Sequence, residues 1–162
     1  MLTIMGGAWS GRRLNVLDRD NLRPTSGRVK SSIFSILESI QWKRAGAPDF
    51  SGWLCADLFA GVGGLGLEML SRGAAHCTFV EKERAHAKML QENIGILGCA
   101  EQTKVMNQDV NKIPWEEMGP FDLILLDPPY AHSNLPELLE RLASGNVLRQ
   151  NGIILFEHDP KV

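Results

Sequence analysis

Asp127-Pro128-Pro129-Tyr130 puts an acid, a rigid backbone carbonyl and an aromatic ring within four residues. The run before it, Phe121-Asp122-Leu123-Ile124-Leu125-Leu126, reads as a buried parallel strand. The two prolines stop that strand and stiffen the turn, so all four residues are presented together at a strand's carboxyl end. In open α/β sheets that edge is where ligands bind. The matching chemistry is work on a planar amine. An exocyclic nucleobase amine is a poor nucleophile because its lone pair is delocalised into the ring. Two acceptors, the Asp127 carboxylate and the Pro128 carbonyl, could hold both of its N–H bonds. They would turn the lone pair towards an electrophilic methyl and stabilise the developing charge. Tyr130 could stack on an extruded base. The plain alternative is a proline turn with a surface tyrosine.

A second group of residues suggests a nucleotide-type cofactor. Trp53-Leu54-Cys55-Ala56-Asp57-Leu58-Phe59 reads as a strand running into Ala60-Gly61-Val62-Gly63-Gly64-Leu65-Gly66. Glycines at that density let a backbone approach a ligand closely at a helix N-terminus. The letters fit G-x-G-x-x-G but begin two residues after the strand, so the fingerprint alone is weak, and a tight strand-helix turn would read the same way. Glu81, twenty positions after Gly61, ends the next strand, where a carboxylate can accept from vicinal ribose hydroxyls. Gln108-Asp109 ends the third. Asp109 could accept from an adenine amine, and Val110 offers a backbone donor and an apolar face. An aspartate after a strand is also a common turn residue.

The elements that must position these residues follow from periodicity. Leu2-Thr3-Ile4-Met5 and Arg13-Leu14-Asn15-Val16 flank a glycine-rich loop and predict a small β-hairpin. Arg23-Pro24-Thr25-Ser26, with Thr25 or Ser26 as N-cap, leads to a helix over roughly 27–40, followed by a short linker. Strands are then predicted at 54–59, 76–80, 104–107, 122–127 and 153–156. Helices alternate with them from about 64, over 84–97 and near 135–143. This order implies a parallel sheet with right-handed crossovers.

At 162 residues, 44% hydrophobic and 22% charged, the chain fits one soluble globular unit. No run approaches the roughly 20 apolar residues of a membrane span, the N-terminus does not read as a signal peptide, and a cytoplasmic protein is expected. Cys55, Cys77 and Cys99 form no Cys-x-x-Cys pair and read as buried thiols of a reducing compartment. The four histidines show no metal spacing, and no metal is expected. Residues 1–44 carry eight Lys/Arg against three acids, a local +5, while the remainder carries nine against sixteen, a local −7. That polarity suggests an anionic polymer at the N-terminal part, or simply a solvated basic surface. Trp9 could pack on nucleic acid or cover the hairpin's own core.

Gly6-Gly7-Ala8-Trp9-Ser10-Gly11-Arg12-Arg13-Leu14, Leu22-Arg23-Pro24-Thr25, Arg28-Val29-Lys30, the stretch Asp57 to Glu68 and Asp127-Pro128-Pro129-Tyr130 occur in that order along nearly the whole chain. At these residues it resembles the class I S-adenosylmethionine-dependent methyltransferases, and more narrowly the RsmD family, which methylates the guanine N2 amine in small-subunit (16S) ribosomal RNA. The resemblance implies a Rossmann-like sheet flanked by helices. Asp57 and Gly61 would hold the cofactor's methionine end, Glu81 the ribose and Asp109 the adenine. Phe59, Ala60, Gly63, Lys82, Val110 and Asp127 complete the expected cofactor contacts. Asp127, Pro128, Pro129 and Tyr130 would act on the guanine, Arg12 and Arg13 would meet RNA, and Arg23, Thr25 and Arg28 would lie beside the pocket, where they could meet the cofactor carboxylate or RNA phosphate. Gly27 and Lys30-Ser31 stand where the family more often has Asp and Arg-Glu, which leaves the pairing around the first helix open. The chain ends soon after its fifth parallel strand, where the fold usually adds a helix and an antiparallel hairpin, so those strands are expected to be missing and a sheet edge open.

The division expected is a basic extension over 1–44 and an S-adenosylmethionine-binding unit over 50–162. The partner expected is 16S ribosomal RNA or the assembling small subunit, met by a monomer. The rivals are an adenine-N6 nucleic-acid methyltransferase using the same tetrapeptide, a non-catalytic RNA-binding relative and, more weakly, a small-molecule methyltransferase.

Overall fold

The computed structural model describes residues 2–17, 27–129 and 134–157. Five strands, β3 (Leu54–Leu58), β4 (His76–Val80), β5 (Thr103–Met106), β6 (Phe121–Leu126) and β7 (Leu148–Phe156), form one sheet. Their order is β5-β4-β3-β6-β7 and every neighbouring pair is parallel. A separate antiparallel pair, β1 (Leu2–Thr3) and β2 (Arg13–Leu14), is the predicted hairpin, with only two residues in each strand.

Both faces of the sheet are covered, which is why its strands read as continuous apolar runs. Successive residues point to opposite faces. Cys55, Cys77, Phe79, Leu123 and Leu125 face one cluster, packed by α1 (Gly27–Ala45), α2 (Gly64–Ser71), α3 (Arg84–Leu97) and the hairpin. Ala56, Leu58, Val80, Ile124 and Leu126 face the other, where Ile113, Trp115 and α4 (Leu135–Ala143) pack. The three cysteines are buried free thiols.

Two elements run longer than their sequence suggests. Helix α1 continues past Ile40 to Ala45 because Gln41 to Arg44 are good helix formers, with Lys43 and Arg44 favourably placed at the negative end of the helix dipole. Gly46, at φ 72°, ends it. Strand β7 starts at Leu148, before a turn-like Asn151-Gly152, because Leu148 pairs with Phe121 and a register irregularity absorbs the turn. The expected N-cap, Thr25 or Ser26, lies outside the described residues.

The basic N-terminal part packs directly on the sheet unit. Glu68 of α2 is fully buried, and each of its oxygens accepts two hydrogen bonds. Oε2 takes the Met5 amide and Lys30 Nζ, both at 2.8 Å, and Oε1 takes the Gly6 amide at 2.8 Å and Arg72 Nε at 3.0 Å. Lys30 Nζ also donates to the Thr3 carbonyl at 3.1 Å. Lys30 thus forms a buried ion pair joining α1, α2 and the hairpin. Arg72 additionally pairs with Glu38 and lies 4.5 Å above the Phe34 ring. Among the described residues, no helix is long and apolar enough to cross a membrane.

Candidate active site

Strand β3 has β4 on one side and β6 on the other, so the sheet's topological switch lies at its carboxyl end. The loop leaving β3 is tightly fixed. Phe59 is half-buried with φ 63°, an uncommon conformation for a bulky residue, and it turns the chain so that the Ala60 amide reaches the Val80 carbonyl at 3.0 Å. The Gly61 amide then donates to Glu81 Oε2 at 2.7 Å, and the Glu83 amide to Oε1 at 2.7 Å. Glu81 is 8% exposed. Its carboxylate anchors both loops, and each oxygen still has a lone pair for a ligand hydroxyl.

The loop glycines divide their work. A Cβ on Gly61 would meet nothing within 4 Å, so that backbone faces open space. One on Gly66 would come within 2.3 Å of the Phe79 ring and 2.8 Å of Cys77 Sγ, so Gly66 lets α2 sit against the sheet. Asp57 lies beneath, 1% exposed, with Oδ2 accepting the Gly66 amide at 2.8 Å. Burial is the main cause that pushes its carboxyl up to about 8; the Gly66 hydrogen bond opposes this, and the Asp127 and Glu81 charges add to it.

The raised Asp57 value has a consequence for stability. In the unfolded chain an aspartate ionises near ~3.9. The folded state therefore keeps Asp57's full contribution below that pH and loses it as pH rises towards about 8. Asp57→Asn, which cannot ionise, should gain thermal stability relative to the native chain between pH 5 and about 8. Melting curves across that range check it, and a constant difference would show that Asp57 does not titrate there.

Next to Glu81 lies a cleft of about 560 Å³ lined by Lys82, Asn107, Gln108, Asp109 and Lys112. Asn107 Nδ2 donates to the Glu81 and Lys82 carbonyls at 2.8 and 2.9 Å, tying the end of β5 to that of β4. Asp109 Oδ1 accepts from the Asn111 amide and from Asn111 Nδ2, while Oδ2 faces Lys82 Nζ at 3.3 Å. The Asn111 amide, ahead of Lys82, holds the Asp109 carboxyl below its ordinary value. Val110 is buried.

On the other side of β3 the Asp127 amide reaches the Leu58 carbonyl at 3.5 Å, so the tetrapeptide begins at the switch itself. Asp127 and Pro128 are half-buried and Pro129 is exposed. Tyr130 lies outside the described residues, as do Arg23 and Thr25. Of the other residues expected to meet RNA, Arg12 donates to the Ile96 carbonyl at 2.7 Å, Arg13 is exposed on β2 and Arg28 is exposed near the start of α1. The half-buried Trp9 packs on the first core cluster.

Two polar residues at the site were not read from the sequence. Asn93 of α3 is fully buried and connects the loop to the segment after the hairpin. Its Nδ2 donates to the Val62 and Asn15 carbonyls, both at 3.0 Å, and its Oδ1 accepts the Asn15 amide at 2.8 Å. One asparagine inside an amphipathic helix gives no pattern that marks such a role. Glu157, one residue past β7, completes a row of acids at the carboxyl ends of the five strands, with Asp57, Glu81, Asp109 and Asp127. The strand-end rule could have marked it as a strand-end acid, but not its place beside Asp127. Among the described residues, no three His, Cys, Asp or Glu side chains are grouped to hold a metal ion.

Residues 2–162 match the family model described as Conserved hypothetical protein 95. The chain is 40% identical over 159 residues to ribosomal RNA small subunit methyltransferase D of Haemophilus influenzae, covering 95% of this chain and 77% of that protein. It is 34% identical over 158 residues to the protein of the same name from Escherichia coli K12, covering 98% and 75%. It superposes on the solved structure of yhhF from Escherichia coli with a TM-score of 0.77 at 29% identity, over 96% of this chain and 78% of that one. The sheet and its flanking helices have the Rossmann-like class I methyltransferase fold that the sequence led us to expect.

Proposed function

This chain belongs to the family described as Conserved hypothetical protein 95, the RsmD family, and on that footing we propose that it transfers a methyl group from S-adenosylmethionine to the N2 amine of a guanine in small-subunit ribosomal RNA. The observation that carries this reading is the juxtaposition at the switch point. Asp127 and its proline turn leave β6 beside the β3 loop, whose open Gly61 and neighbouring Glu81 form a cradle for a nucleoside. The site's residues suit the cofactor. Gly61 leaves room for a close approach, Glu81 can accept from its ribose hydroxyls, and the cleft lined by Lys82, Gln108 and Asp109 suits its base.

When bound, S-adenosylmethionine supplies an electrophilic methyl group. The chain's residues do the rest. The Asp127 carboxylate and the Pro128 carbonyl accept the two N–H bonds of the amine and fix its lone pair in line. The same carboxylate stabilises the positive charge that develops on nitrogen as the sulfonium's methyl–sulfur bond would break, and the nitrogen then loses one proton to solvent. Tyr130 stacks on the base, and the exposed Arg13 and Arg28 meet RNA phosphates.

The test is transfer of tritiated methyl from S-adenosylmethionine to small-subunit particles from cells lacking the protein, with nucleoside analysis. Label as N2-methylguanosine is expected. Label on adenine N6 would overturn the target base and keep the fold's chemistry. No label together with no cofactor binding would overturn the enzymatic reading.

A further inference from the structure

Glu157 leaves β7 beside Asp127. Strands β6 and β7 are parallel, with Leu126 opposite Phe156, and the Glu157 amide donates to the Leu126 carbonyl at 3.0 Å. Residues 127 and 157 therefore exit the sheet side by side, with their carboxyl groups within hydrogen-bonding reach. Glu157 Oε2 is buried and has no hydrogen-bond donor among the described residues. Two carboxylates that meet at a half-buried sheet end repel each other unless one proton lies between them. The other acids acting at this edge are Asp57 from β3, which feels the Asp127 charge, and Glu81 after β4, which acts on Asp57 in turn.

We infer that Glu157 is the positioning residue for Asp127: its carboxyl holds one proton, donates it in a hydrogen bond to the Asp127 carboxylate, and so orients Asp127 to accept from the substrate amine. This rests on the reading of Asp127 given above. Burial first, and the Asp127 charge and contact next, raise the Glu157 carboxyl above its ordinary value, which favours its protonated form. As pH rises through that value the proton is lost, the two groups repel, and Asp127 loses its support.

Carbon-detected NMR of protein labelled at the side-chain carboxyls tests the pair without substrate, with Glu157→Gln supplying the assignment. Glu157 should titrate above the ordinary glutamate value of about 4.3, and its midpoint should fall in Asp127→Asn. An ordinary midpoint, or one that ignores Asp127→Asn, overturns the inference. Kinetics supply the second readout. Glu157→Ala should lower kcat roughly 10- to 100-fold through a misplaced Asp127, with little change in cofactor affinity. Glu157→Gln, whose amide can donate in the proton's place, should keep most of the activity and lose the fall of the native kcat as pH rises through the Glu157 midpoint. A Gln variant as poor as Ala, or an Ala variant as good as native, overturns it. Methyl transfer to another base would sink the guanine reading but leave these comparisons intact. With no transfer at all, the NMR result decides.

Discussion

Replacing Asp127 with alanine should lower methyl transfer by roughly 100- to 1,000-fold, the loss typical when one preorganised group facing a developing charge is removed. Asp127 is half-buried at the end of β6, where its amide reaches the Leu58 carbonyl at 3.5 Å. Asp127 belongs to neither core cluster, so removing its side chain leaves the core packing untouched. The melting temperature should therefore stay close to native. Single-turnover transfer with saturating cofactor, beside a melting curve, separates the two effects. Asp127→Ala with native transfer rates would remove this residue from the mechanism.

The largest stability effect should come from Glu68. Its four hydrogen bonds draw together the Met5 and Gly6 amides of the hairpin, Lys30 of α1 and Arg72. Glu68→Ala leaves the Lys30 ammonium, 1% exposed, without its counter-charge. Breaking one side of a buried pair costs about 3–5 kcal/mol, which for a chain of this size corresponds to a melting-temperature drop of roughly 6–20 °C. Burial alone would raise the Glu68 carboxyl, but the Lys30 and Met5 hydrogen bonds and the two cations outweigh it and hold it below its ordinary value. Its contribution is thus present above the unfolded value of about 4.3 and lost as pH falls through the lower folded one. The gap between native and variant should close under strong acid. Thermal unfolding at neutral and acid pH measures both, and a drop of less than about 2 °C at neutral pH would mean the hairpin and α1 are held by apolar packing alone.

The parts of this site that were legible in the sequence are those in which a local pattern has one structural outcome. An apolar run stopped by Pro128-Pro129 marks a buried strand end, and dense glycines after the β3 run mark a strand-helix turn. Glu81 stood out because it ends a strand at the right spacing from Gly61. The structure assigns these residues further tasks that local pattern cannot show. Glu81 binds the Gly61 amide across two strands, Asp57 supports the start of α2, and Asp109 already engages Asn111 and Lys82. Glu68, Asn93 and Glu157 were missed because each acts on partners distant in sequence: Glu68 and Asn93 bridge more than 30 residues, and Glu157 matters only once β6 and β7 lie side by side. Strand β7 was read short because Asn151-Gly152 has turn letters, while tertiary pairing of Leu148 with Phe121 overrides them.

The most direct measurement is mass spectrometry of small-subunit ribosomal RNA from three strains. One lacks the gene, one is complemented with the native chain, and one is complemented with Asp127→Ala. One N2-methylguanosine should vanish in the deletion strain, return with the native chain and stay absent with the variant. The same set of N2-methylguanosines in all three strains would contradict the proposed reaction.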